Sequence, residues 1–319
     1  MTPEQVRGLM LASGLTAAQV DRALVSERMQ GTATNTVVYP EDALVFSLSP
    51  EVRARFYSEL AKDPANVYMH FPFCFPGDSF EKIADGDQIP AQAMTNLRLL
   101  LYRRGDAFFL SDFEALMNRV PSQAQRLLLT KALSSQSAVM ARLRIRPETD
   151  IDKLLGYWAW APGVRSTNLR PLLESLKRLE DGATVSLLYF LPQFARERLY
   201  TYPLPSQPND PVMDCHWSTM NFFSDPPDNR FAEPSYTVAY LAEHYYPISK
   251  ATRYGDRIFL LNDKGEAIHS AVYLADDIVF TKNGNNYMEP WMLMRLKNLV
   301  SLYSAVHSPR LAVYRNKDS

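Results

Sequence analysis

The chain has 319 residues, of which 46% are hydrophobic and 22% charged, and its formal net charge is −1. That length suffices for two domains, each with a core of its own. A charge so near zero makes no broad positive field, and the lysines and arginines are scattered, so neither nucleic acid nor an anionic membrane surface is expected as a partner.

The opening Met1-Thr2-Pro3-Glu4-Gln5 lacks the basic and apolar regions of a secretory signal. No apolar run approaches the roughly 18 residues of a membrane span. A soluble chain is expected, cytoplasmic by default and of the cell envelope if a signal preceded this numbering. Cys74 and Cys215, the two cysteines, stand far apart, which argues against a disulfide scaffold.

From about Thr2 to Glu27 the pattern is helical, with Thr16 as an N-cap before Val20, Ala23 and Leu24. Gly31 to Tyr39 reads as a linker or one short strand. Ser49-Pro50-Glu51 places a cap, a first-turn proline and an acid in order, opening a helix with Val52, Phe56 and Leu60. His70 to Gly77 is broken by two prolines and a glycine, and its alternating aromatics either line a pocket or, the commoner case, plug a core between helices around an inert Cys74 and a structural His70. A helix follows over Ala91–Leu101. Ser111-Asp112-Phe113-Glu114 matches a capping box, and Pro121-Ser122 opens a further helix carrying Leu127, Leu128, Ala132 and Val139.

Arg142-Leu143-Arg144-Ile145-Arg146 alternates as a strand does, with three arginines on one face that either hold an anion or are simply solvated. Tyr157 to Gly163 holds two tryptophans without interleaved basic residues and reads as packing. Pro171 to Leu179 is amphipathic, and Gly182 suits the position after a helix end. Four prolines between Tyr202 and Pro211 mark a stiff connector, so the expected boundaries are a mostly helical domain over 1–199, a connector over 200–212 and a second domain over 213–319.

The second domain is expected to begin with a helix whose first turn holds Cys215, where unpaired backbone N–H groups favour a thiolate and can hold an oxyanion. Tyr236 to Tyr245 reads as a helix. Gly255 to Leu261 and Ile268 to Leu274 read as strands joined by the turn Asn262-Asp263-Lys264-Gly265, with His269 at the start of the second. Asp276-Asp277 turns the chain into Ile278–Thr281. Pro290 to Tyr303 reads as helical and Leu311–Tyr314 as a closing strand. The fold class is therefore α+β, an antiparallel sheet packed on the helix that carries the cysteine.

Asp214-Cys215 at a helix start, Gly255-Asp256-Arg257-Ile258-Phe259, and His269-Ser270-Ala271-Val272-Tyr273-Leu274 resemble, in this order, the NlpC-type cell-wall peptidases. That family belongs to the papain-like cysteine hydrolases, and the resemblance spans about Met213 to Gly284. It implies cleavage of an amide, in a peptide or a peptidoglycan fragment, without a cofactor. Cys215 would be the nucleophile and His269 its base. Thr281 or Asn283 would orient the imidazole, Thr281 by ungapped position and Asn283 by its amide oxygen. Tyr200 or Tyr202 would stand near the oxyanion, with His216 and Trp217 beside the nucleophile.

The family's Ser-Gly after the cysteine is here His216-Trp217, a bulky pair that reshapes the cleft, and the glycine after the histidine strand is Ala275. Adjacent helical residues point apart, so His216 is not read as the base. Cys215, His216 and His269 lack a fourth ligand for zinc. His244 and His307 read as surface or cap residues. Two alternatives stand beside the hydrolase: the same fold with an inactive site, kept as a binding module, and an acyl or amide transferase in which an amine intercepts the thioester.

Overall fold

The computed structural model describes residues 1–319 apart from 33–34, 64, 71, 77–78, 85–88, 135–137, 161–165, 204–212, 285–288, 305–307 and 319. Helices and antiparallel sheets together make a mixed α and β fold. The chain divides into two compact units, Met1–Gln136 with Ser301–His307, and Ser137–Val300 with Ser308–Ser319.

The first unit opens on helices Pro3–Ala12 and Ala17–Ala23, where Thr2 with Gln5 and Thr16 with Gln19 close capping boxes. Ser49 caps the helix Pro50–Leu60 by accepting from the Val52 amide at 3.3 Å. The segment read as irregular contains a strand, Phe73–Pro76, paired with Ala107–Leu110, which in turn pairs with Tyr102–Arg104. Proline terminates that strand without interrupting it, and the partner strand lies far away in sequence. The residue before Phe113–Asn118 is Asp112, whose side chain makes no capping bond, and the Ser111 hydroxyl is 2.8 Å from the Tyr102 hydroxyl.

The second unit begins with a two-stranded sheet, β1 (Arg142–Ile145) on β2 (Ala183–Ser186). Between them lie α1 (Ile151–Trp158) and α2 (Ser166–Lys177), and α2 carries Pro171 inside its span instead of at its start. Next come α3 (Gln193–Arg198), α4 (Cys215–Met220) and α5 (Pro234–His244). The main sheet has six antiparallel strands: β3 (Tyr245–Ile248), β4 (Arg257–Leu261), β5 (Ala267–Ala275), β6 (Ile278–Lys282), β7 (Trp291–Arg295) and β8 (Arg310–Asn316). Their order across the sheet is β7-β6-β5-β4-β8-β3.

Two expectations need correction. Trp291–Arg295 is a strand, and only Leu296–Tyr303 of the expected helix is helical. Its first four residues are buried on both faces, so they carry no period to separate strand from helix. The unit boundary falls near residue 136, not in the proline-rich stretch, most of which (204–212) lies outside the described residues. The cause is a shared core. Leu155, Trp158, Leu173, Phe190 and Phe194 pack in one cluster with Trp217, Phe222, Phe280 and Leu293.

Candidate active site

Asp214 caps α4, its Oδ1 accepting from the Trp217 amide at 2.8 Å, and so fixes Cys215 as the first helical residue. The helix lies on one face of the main sheet. The contacts are direct: Ser270 Oγ on β5 donates to the Cys215 carbonyl at 3.2 Å, and His216 Nδ1 is 3.0 Å from the same Oγ. The His216 ring stacks over Phe259 of β4 at 6.0 Å, and Trp291 Nε1 of β7 donates to Ser218 Oγ at 2.8 Å. Phe222, just past the helix, meets Phe280 of β6 at 5.2 Å between ring centres.

Side chains alternate along a strand. Ser270, Phe259, Phe280 and Trp291 therefore define the face that α4 covers, and His269 and Thr281, one residue away on β5 and β6, belong to the other face. His269 Nε2 is 2.8 Å from Thr281 Oγ1. Asn283, two residues further along, donates from Nδ2 to Met294 Sδ at 3.4 Å. The structure thus joins His269 to Thr281, while the contacts of the cysteine helix with β5 run through Ser270.

Burial sets the ionisation. Cys215 is 5% exposed, and burial, helped by the neighbouring Asp214 charge, pushes its thiol up to about 12. His269 is wholly enclosed, and loss of water, with His216 and Lys282 nearby, holds its pKa well below 6.5. His216 is lowered by burial as well, against the pull of Asp214. Lys282, on the α4 side by alternation, is also enclosed and lowered by burial, and its Nζ donates to the Gly284 carbonyl at 3.0 Å. Burial works against both the thiolate and the imidazolium, and at Cys215 it outweighs the backbone N–H groups of the helix start that favour the thiolate.

The remaining expected residues scatter. Trp217 is core, 1% exposed and 5.3 Å from the Phe194 ring, so it narrows no opening. Tyr202 is exposed, and the Tyr200 hydroxyl donates to the Val139 carbonyl, so no described hydrogen bond takes either one to Cys215. Asp256 of the Gly-Asp segment is structural. Burial raises its carboxyl, but Arg315 and the amides of Arg253 and Thr252 outweigh that and hold it below the usual value.

Sequence reasoning missed Ser270, the residue that touches the cysteine helix, and Lys282, the enclosed cation. The signal for both was the alternation itself, which puts them opposite their neighbours His269 and Thr281. Among the described residues no group of three or more His, Cys, Asp or Glu could hold a metal ion. Among the described residues no helix is long and apolar enough to cross a membrane. No protein-family model matches the chain, and no curated protein matches it.

Proposed function

We propose that the second unit is a papain-like module that works by binding and not by hydrolysing an amide. The order of its elements supports the papain-like part: a helix headed by cysteine, then a Gly-Asp strand, a histidine strand and a strand with a hydroxyl beside that histidine. The observation that carries the non-catalytic part is burial: Cys215 is 5% exposed and His269 is wholly enclosed, so neither group opens to a substrate. A buried thiol raised to about 12 is a poor nucleophile near neutral pH.

A second reading, a thiol hydrolase of a peptide or amide, is favoured by one contact. Thr281 Oγ1 at 2.8 Å from His269 Nε2 is the base-to-orienter pair such an enzyme needs. Iodoacetamide labelling of the native protein at neutral pH, read by mass spectrometry, separates the two. The binding module predicts that Cys215 reacts only after denaturation. Rapid labelling of native Cys215 in preference to Cys74, abolished in His269→Ala, would establish the hydrolase and remove the first reading.

A further inference from the structure

β1 turns Leu143 and Ile145 inward, toward the core that holds Val185, Leu169 and Leu173. Its other face shows Arg142, Arg144 and, just past the strand, Arg146, all exposed. Across the ladder Arg142 faces Ser186 and Arg144 faces Thr184, both exposed hydroxyl residues. Among the described residues, Arg142 and Arg144 have no carboxylate within ion-pair distance, and Arg146 has only Glu148 at 3.8 Å. Guanidinium groups two residues apart on a strand stand about 7 Å from each other and repel. Nothing described on that face relieves the repulsion. β1 also pairs on one side only, with β2, so it is a sheet edge among the described residues.

We propose that the β1 edge and its arginine face form a docking strand for an extended acidic segment of a partner protein. Such a segment adds as a third strand through main-chain hydrogen bonds, and its carboxylates at alternate positions lie opposite the arginines. Arginine suits the role because its planar fork takes a carboxylate through two parallel N–H···O bonds. A single-stranded nucleic acid is disfavoured, because the cross-strand neighbours are hydroxyls and no ring stands among these residues for a base to stack on. With a net charge of −1 the molecule as a whole attracts no polyanion, so recognition rests on the register of this strand. The site is separate from Cys215 and His269, and its test does not depend on how those residues are read.

The test is fluorescence anisotropy with the full chain and a labelled peptide of alternating Glu and Thr, about eight residues long to match the strand. A second peptide has the same composition with its acids in one block, and an oligothymidylate serves as the nucleic-acid probe. All three are measured at about 0.15 M salt, where distant charges are screened. The alternating peptide is expected to bind about tenfold more tightly than the blocked one, and to lose about tenfold in Arg142→Ser/Arg144→Ser. A thermal melt shows whether that variant keeps its fold, and Arg142→Lys/Arg144→Lys, which keeps the charge but not the fork, is expected to lose less. No binding of the alternating peptide, equal binding of the two peptides, tighter binding of the oligothymidylate, or unchanged affinity in the folded Ser variant would each overturn the proposal.

Discussion

Burying a neutral imidazole costs far less than burying an imidazolium, and His216 and His269 are both held below 6.5 by the water they have lost. The unfolded chain has no such penalty, so below about pH 6.5 it takes up protons that the folded unit refuses. The stability these groups allow is complete above that value and falls as the pH drops. Each histidine contributes a slope of up to about 1.4 kcal/mol per pH unit. Urea denaturation of the second unit between pH 8 and 5 is expected to show that decline, and His269→Gln to show a shallower one whatever its stability at pH 8. Equal slopes in the two proteins would mean that His269 does not titrate on unfolding. A different balance holds in the first unit, where Arg53 is wholly enclosed. Its Nε donates to Asp112 at 2.8 Å, other guanidinium N–H groups donate to the Leu48, Leu99 and Val45 carbonyls, and Tyr57 donates to Asp112 at 2.7 Å. Asp112→Ala leaves that charge enclosed without its counter-ion and is expected to cost about 3–5 kcal/mol in denaturant titration. A loss under about 1 kcal/mol would class the pair with exposed salt bridges.

At the scale of the element, α4 has only six residues, too few to persist without its cap and the sheet beneath it. Asp214 does two separable things there: its carboxylate caps the Trp217 amide, and its charge helps raise the Cys215 thiol. Asparagine caps about as well but carries no charge. Asp214→Asn is therefore expected to keep the stability of the unit and lower the thiol pKa, whereas Asp214→Ala loses about 1 kcal/mol. Thiolate absorbance against pH, with Cys74 replaced by serine, checks the first part, and thermal melts check the second. If Asp214→Asn leaves the titration where it was, the charge does not reach the sulfur. Elements of this kind were legible because their signals are local: Thr16 with Gln19, Ser49 before Pro50, and the strand pairs around Asn262–Gly265 all depend on near neighbours. Phe73–Pro76 and Trp291–Arg295 were not, since what makes them strands is a partner remote in sequence or burial on both faces. Of the candidate site, the neighbouring-strand pair His269 and Thr281 was legible from position, but the contact of Ser270 with the cysteine helix was not. The parity that separates Ser270 from His269 shows only once the helix is seen to rest on one of the two faces.

For the whole chain, proline density was a poor guide to where one folding unit ends. Prolines stiffen a connector, but a boundary needs few apolar contacts across it, and the stretch before Pro203 supplies core that the sheet requires. Phe190 accepts through its carbonyl from Tyr254, Phe194 packs on Trp217, and Tyr157 donates to the Leu274 carbonyl at 2.7 Å. The β7 edge is also capped from upstream, since Val139 donates to Leu293 and Tyr200 to Trp291 along the backbone. A fragment over 213–319 would expose one face of its sheet and that edge together, a combination that favours aggregation over folding. A fragment over 137–319 keeps the cluster intact and retains β8, which lies between β4 and β3 and so cannot be spared. Expressed side by side, the longer fragment is expected to melt cooperatively with native near-ultraviolet dichroism, and the shorter to show neither. Cooperative melting of the 213–319 fragment would restore the proline-rich stretch as the true boundary. It would also reduce the contacts of Phe190, Phe194 and Tyr157 to packing that the sheet can do without.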